Sequence, residues 1–413
     1  MIDTTNTPKA TSSVLAWLVI IGVAVFVLGL FLAPERVWPS WLVSVNLFMG
    51  LCLAGPVFIA IMRLTSGRWA DPIMPVARAM GSGLPLAVLM AVFVVFGAST
   101  LYDWSHMEAG HVSKHMEHKL GWLNLGAFSA RAAVCFFIWL FITPWMLKKT
   151  GRGRAGIWMI LFGLSFSVFV FDWLMSLEAE WFSTMFAVYL FAGLFQTGIA
   201  AITLIALQQE RLGHLKLADS VRHDLGKLLF AFSFFWGYIW FCQYMLIWYT
   251  NIPEETTWFH ARLSGGWTTM TLLSLAVSFV VPFLVLLPAP AKRNRATLAR
   301  VAMLILVGRW LDLYIIVTPA SSPGVPPLGF WEIAPPVAAA AGFFLWTRRW
   351  LAVNRVLGDA IPAGLGTAEP SGPGSAEPSD LAVADLDQLA GADIDGLAAA
   401  DIDGLAGAEP SKG

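Results

Sequence analysis

Ten stretches of roughly twenty apolar residues, each the length a helix needs to cross a bilayer, fill most of this chain. They run Val14 to Ala33, Trp41 to Met62, Leu84 to Leu101, Phe128 to Leu147, Ile157 to Leu177, Trp181 to Leu207, Gly226 to Tyr249, Trp267 to Leu287, Leu298 to Val317 and Ile333 to Leu351. Hydrocarbon offers the backbone no hydrogen-bond partner, so such segments must satisfy their own N–H and C=O groups and form helices. The expected fold is an all-α integral membrane protein with ten transmembrane helices. Composition agrees: 57% of the residues are hydrophobic, with 20 Trp and 29 Phe, far from the make-up of a soluble domain. No soluble catalytic domain fits between the spans, and no nucleic-acid partner is expected.

Basic residues are retained on the cytoplasmic side during insertion. With the N-terminus inside, the inner segments hold Lys9, then Arg63, Arg68 and Arg78, then Lys148, Lys149, Arg152 and Arg154, then Arg211, Lys216, Arg222 and Lys227, then Lys292, Arg293, Arg295 and Arg300, and last Arg348, Arg349 and Arg355. The outer loops hold only Arg36, Lys114, Lys119 and Arg262. Both termini are therefore expected in the cytoplasm. Asp3 and the absence of a basic lead-in argue against a cleaved signal peptide, so the first span should persist as a helix.

The net charge of -1 averages a basic body and an acidic tail. From Gly358 onward the only base is Lys412, while an eight-residue unit repeats from Ala384, Ala392 and Ala400 (ADLDQLAG, ADIDGLAA, ADIDGLAG). Acid, Gly and Pro at this density predict a disordered segment over 358–413, to which no activity is assigned.

An internal duplication is also visible. LFMGLCLAG from Leu47 and LFAGLFQTG from Leu190 are offset by 143 residues, and the same offset carries the third, fourth and fifth spans onto the seventh, eighth and ninth. Four spans separate the copies, so they insert with the same orientation. The expectation is two parallel-related four-helix bundles, 41–180 and 181–320, flanked by the first helix within 1–40 and the tenth within 321–357. Gly50 with Gly193, and Gly55 with Gly198, would let neighbouring helices approach closely.

All seven histidines fall in loops, and Cys52, Cys135 and Cys242 stand alone in separate spans. The chain is therefore expected to bind neither haem nor an iron-sulfur cluster. His111, His115 and His118 are spaced to share one helical face in an outer loop, which would suit zinc or copper, or simply titrate in solvent; no metal site is assigned. Ionisable residues inside spans mark pathways or sites. Here they are Asp172 in the fifth span, Arg309 and Asp312 in the ninth, and Arg131 at the outer start of the fourth, with Asp224 and Lys227 at the inner start of the seventh. Asp172 maps within three residues of Asp312 under the offset, and both lie in the outer halves of their spans. Arg309 and Asp312, three apart on one helix, either form a coupled proton-active pair or only neutralise each other. Glu178 stands at the outer end of the fifth span, and Gln243 and Tyr244 at that of the seventh. Asp172 is the strongest of these candidates from the residues alone. Gln243, Tyr244 and Arg131 are the candidate contacts for a quinone ring, whose carbonyls such groups can hydrogen-bond between aromatic walls.

Longer motifs carry a family resemblance. Tyr102, Trp104, Lys119, the Leu123-Asn124 pair and Arg131, the run FDWLMSLEAEWFSTMF from Phe171, DLGKLLFAFSFFWGYIWFCQYMLIWYTNIPEE from Asp224 and RWLDL from Arg309 together resemble the ActF subunit of bacterial alternative complex III, over about Trp41 to Leu351. The resemblance implies a ten-helix NrfD-type subunit of a quinol:cytochrome c oxidoreductase in the bacterial inner membrane. It implies partners: an NrfD-like sister subunit, an extracytoplasmic iron-sulfur protein, multihaem cytochrome c and sometimes a terminal oxidase, all among membrane lipids. The substrate would be a quinone such as menaquinone, with the redox centres in the partners and quinol oxidation better placed in the sister subunit. By motif match, the resemblance also implies that Asp172, Glu178, Arg309 and Asp312 carry protons. Two other functions stay open from the residues alone, a secondary transporter built on parallel repeats and a membrane anchor with no site of its own.

Overall fold

The structure is a computed structural model that describes residues 7–107, 114–148 and 151–354. The chain divides into Met1–Ile361 and Pro362–Gly413. The expected acidic tail and His111 lie outside the described residues.

Nine helical stretches among the described residues are long and apolar enough to cross a membrane. They are α1 (Thr7–Leu32), α2 (Pro34–Thr65), α3 (Arg68–Leu101), α4 (Leu125–Lys148), α5 (Arg152–Leu177), α6 (Met185–Arg211), α7 (Asp219–Thr250), α8 (Gly265–Leu286) and α9 (Arg295–Ala320). The tenth expected span is covered by α10 (Phe330–Asn354), whose glutamate, two prolines and two arginines keep it below the apolarity of the other nine. No strand occurs among the described residues.

Several helices outrun the apolar segments that announced them. The second starts at Pro34 instead of Trp41, the third helical stretch at Arg68 instead of Leu84, and the seventh at Asp219 instead of Gly226. Helix propagation depends on backbone hydrogen bonds and not on hydropathy, so it continues through polar residues at the membrane edge. Pro34 at the first helical position with Glu35 behind it makes a favourable start. Helix ends follow local chemistry too. The Asn124 side chain accepts from the Ala127 N–H (2.8 Å) to open α4, and Asn294 accepts from Thr297 N–H (3.0 Å) to open α9. Asn251 closes α7 at φ 47°, a left-handed conformation that Asn tolerates.

The two helices carrying the repeated glycine motif lie at the centre. In their most apolar windows α2 and α6 are each 89% buried, against 28% for α4 and for α8. They pack on each other; α2 also packs on α3, α5 and α9, and α6 on α7 and α9. A Cβ on Gly198 would come within 2.2 Å of the Ala54 Cβ, so the α2–α6 crossing requires glycine there. The other shared glycine of α6 does something different. At Gly193 the space is taken by the Arg309 guanidinium, 2.3 Å from where a Cβ would stand.

The fourth and eighth helices share an irregularity. Each contains a π-helical segment, Ile138–Ile142 in α4 and Ala276–Val280 in α8, and each has a proline two residues beyond it, Pro144 and Pro282. Proline lacks the N–H that would bond the carbonyl four residues back. For Pro282 that carbonyl is Ser278, and Gln196 of α6 donates to it at 2.7 Å, while also donating to the Ser233 hydroxyl of α7 at 3.1 Å. The polar backbone freed by the proline is thus satisfied by a neighbouring helix, as a membrane interior requires. On the flank, α10 packs on α1 and α2, and Arg36 at the start of α2 grips the buried Glu332 through two bonds of 2.7 and 2.8 Å.

Candidate functional site

Three carboxylates singled out by sequence each hold an arginine. Asp172, in the last turn of α5 and 1% exposed, accepts from Arg131 Nε at 2.6 Å and Nη2 at 3.1 Å, and from the Trp122 indole N–H at 2.9 Å. The Arg131 guanidinium lies over the Trp122 ring, 4.0 Å from its centroid. Arg131 is therefore a partner of Asp172, reaching it from α4, and its two ends are fixed by one aromatic and one acid.

Glu178, just past the C-terminal end of α5, pairs with Arg262 at 2.7 Å. Arg262 closes the short helix Pro253–Arg262 and is 2% exposed. It also donates to the Trp258, Ile315 and Ile316 carbonyls and stacks on the Trp258 ring at 3.9 Å. Burial pulls its guanidinium below the ordinary value, and the Glu178 carboxylate beside it opposes that. Two Trp–Arg–carboxylate units thus flank the C-terminal end of α5, Trp122 and Arg131 with Asp172 on one side and Trp258 and Arg262 with Glu178 on the other. Sequence reading counted Arg262 only as an outer-loop cation. The signal available was Trp258, one helical turn before it on the same face.

Asp312 and Arg309 do pair within α9, at 2.6 Å and both buried. Asp312 also accepts from the Tyr189 hydroxyl of α6. The acids of α5 and α9 occupy similar places in their helices, yet one takes its arginine from another helix and the other from its own.

Two small cavities adjoin this pair. The first, about 10 Å³, is lined by Tyr189, Asp312, Thr271, Ser274 and Arg262 among aromatic and aliphatic groups. Its volume is about that of one water, and the buried Ser274 hydroxyl on its wall has no hydrogen-bond partner within the protein. The second, also about 10 Å³, lies on the other side of Arg309 against Asn46, Gly50 and Leu194, where α2, α5, α6 and α9 meet.

A larger cleft of about 160 Å³ opens beside α5, lined by Lys119, Trp122, Leu123, Phe171, Met175, Ser176, Ala179, Trp181 and Phe182. Trp122 is 51% and Phe182 48% exposed, so the cleft reaches the surface. Trp181, on its other wall, stacks on Trp258 at 5.2 Å and donates to the Glu255 carbonyl. The cleft therefore runs between the two Trp–Arg–carboxylate units.

The candidates on α7 stand elsewhere. Gln243 is 2% exposed, and its Nε2 finds no hydrogen-bond partner. Tyr244 stacks on Trp240 (5.8 Å, 6°) and meets the Phe259 ring edge-on. Neither lines any of the three cavities. Among the described residues no group of three or more His, Cys, Asp or Glu is placed to hold a metal ion. Of His111, His115 and His118, only His118 has a described side chain, in the helix Lys114–Leu120.

A scan against protein-family models gave no match, and a search of curated protein sequences gave none either. Helical spans of this number and apolarity define a multi-pass α-helical membrane protein.

Proposed function

We propose that this chain is a membrane subunit of a respiratory quinol:cytochrome c oxidoreductase of the alternative complex III type, and that its own contribution is a proton-conducting site toward the periplasmic side. In this proposal the chain crosses the bacterial inner membrane ten times with both termini in the cytoplasm. Partner subunits hold the haem and iron-sulfur centres. The observation that carries the proton role is the cavity bounded by Tyr189–Asp312 on one wall and Arg262 on the other, with Ser274 offering an unused hydroxyl between them. A water held there would join two carboxylate systems, and Glu178 at the far end is partly open to solvent. Asp312 would take and release the proton, Tyr189 would pass it, and Arg309 would set its balance by staying close or moving away.

The test uses the assembled complex in liposomes. Asp312→Asn, Tyr189→Phe and Glu178→Gln are each expected to slow quinol-linked proton release by about a hundredfold or more, the low side of what a positioned acid or base contributes. Unchanged release in all three would discard the proposal.

One observation favours a second function, that of a membrane anchor: each candidate acid already holds an arginine, as structural pairs do. Under that alternative the same substitutions lower thermal stability and leave the number of protons released per electron untouched.

A further inference from the structure

From its shape and donors, we infer that the cleft between Trp122 and Trp181 binds a planar, carbonyl-bearing ring from the membrane, of the kind an isoprenoid quinone carries. The identity of the ring rests on the function proposed above; the site does not.

The walls are flat and apolar. Trp122, Phe171, Trp181 and Phe182 supply aromatic surface, and Leu123, Met175 and Ala179 fill the rest. A volume of about 160 Å³ is well below that of a site for a drug-sized ligand and suits one or two fused rings with the tail left outside. The exposed Trp122 and Phe182 mark the side by which such a tail would leave.

Donor accounting narrows the ligand further. The Trp122 N–H is given to Asp172, the Trp181 N–H to the Glu255 carbonyl, and the Ser176 hydroxyl to the Asp172 carbonyl. Lys119 has three N–H bonds. It spends two, on the carbonyls of Ala179 (2.9 Å) and Glu180 (3.0 Å), and pairs with no carboxylate among the described residues. One N–H is left over, on an ammonium that also lies 5.6 Å from the centroid of the Phe182 ring on the cleft wall. A single donor at the edge of an aromatic slot matches a ring carbonyl. A lipid phosphate, with several acceptor oxygens, would leave most of them unmet there. Burial also lowers the Lys119 ammonium from its ordinary value, opposed by Glu180, so a carbonyl acceptor would stabilise its charged form.

The ring would lie on Trp122, whose indole holds Asp172, and near Trp181, which stacks on Trp258 beneath Arg262. Occupancy would thus be felt by both Trp–Arg–carboxylate units. This places the ring away from Gln243 and Tyr244.

The test is photolabelling of the intact complex in nanodiscs with an azido-naphthoquinone, followed by peptide mapping. Label is expected between Lys119 and Leu123 or between Phe171 and Phe182, suppressed by excess decylubiquinone. Lys119→Met, which removes the charged donor, and Ala179→Phe, which fills the slot, should each cut that label about tenfold, while Lys119→Arg keeps it. Label confined to the peptide around Gln243 and Tyr244, label found only in other subunits, or competition by phosphatidylglycerol and not by the quinone would overturn the inference. The wild-type map decides even where a variant fails to assemble. The outcome is separable from the proton role, because Asp312→Asn reports on proton release whether or not the cleft takes a ring.

Discussion

Asp172 has no basic residue one turn away in its own helix, and from the sequence it looks like a free acid in the membrane. Its partner arrives from α4 with an indole alongside, and the group is buried at 1% exposure. Breaking a buried pair from one side leaves the other charge stranded, which costs about 3 to 5 kcal/mol. In Asp172→Asn the stranded charge is Arg131, whose side chain is 18% exposed and can draw on solvent, so the loss in thermal unfolding of the purified protein should be smaller, about 1 to 3 kcal/mol. Adding Arg131→Met should recover much of the loss, because no uncompensated charge remains; a double variant less stable than the single one would contradict this. Gly193 offers a second prediction. Gly193→Ala puts a methyl 2.3 Å from Arg309 Nη1 and pushes the guanidinium off Asp312, at a cost of about 1 to 3 kcal/mol. Its repeat counterpart Gly50→Ala meets nothing closer than 3.9 Å and should be tolerated. Thermal denaturation of the two variants side by side checks the contrast. The sequence made Gly50 and Gly193 look equivalent because a motif records which residue is small, not what fills the space it leaves.

Among the elements, α8 shows how a proline is accommodated in a membrane helix. Pro282 frees the Ser278 carbonyl, and Gln196 of α6 takes it. Gln196→Leu should cost about 1 to 3 kcal/mol by leaving that carbonyl unsatisfied. Pro282→Ala restores an N–H to it, so in the Pro282→Ala background the loss from Gln196→Leu should shrink. A double-mutant cycle on unfolding free energy measures this coupling, and strict additivity would show that the two residues are independent. The proline and the glutamine are both plain in the sequence, 86 positions apart. Their relation is not, because it exists only once α6 and α8 lie side by side. The same holds for α5, whose C-terminal end gathers Arg131 from before it and Arg262 from after it. Either ion pair links residues more than 40 positions apart.

For the whole molecule, orientation is the property most open to direct test. The distribution of Lys and Arg puts the α6–α7 connection inside and the helix Pro253–Arg262 outside. Thr257→Cys should react with a membrane-impermeant maleimide in intact spheroplasts, whereas Lys216→Cys should react only after permeabilisation. Both positions are exposed, and two of the three native cysteines are buried. The opposite labelling pattern would invert the topology and with it the side on which Asp172, Glu178 and Asp312 act.

The sequence by itself determined that the chain is a set of membrane-crossing helices, because hydrocarbon forces any long apolar segment to satisfy its own backbone. It also marked Asp172, Arg309 and Asp312, since charge in such segments stands out against its surroundings, whereas Glu178 was marked by its motif just beyond one of them. Which helices lie at the centre was decided only by the tertiary structure. The most apolar windows of α2 and α4 have mean hydropathies of 2.1 and 2.0, yet 89% of one is buried and 28% of the other. Lipid is as apolar as a protein interior, so hydropathy separates membrane from water and carries no signal for protein against lipid. The arginines that Asp172 and Glu178 hold, the cavity beside Ser274 and the aromatic cleft at Lys119 all arise where separate helices converge. Such convergence depends on close packing at small residues, and a linear pattern of apolar spans does not encode it.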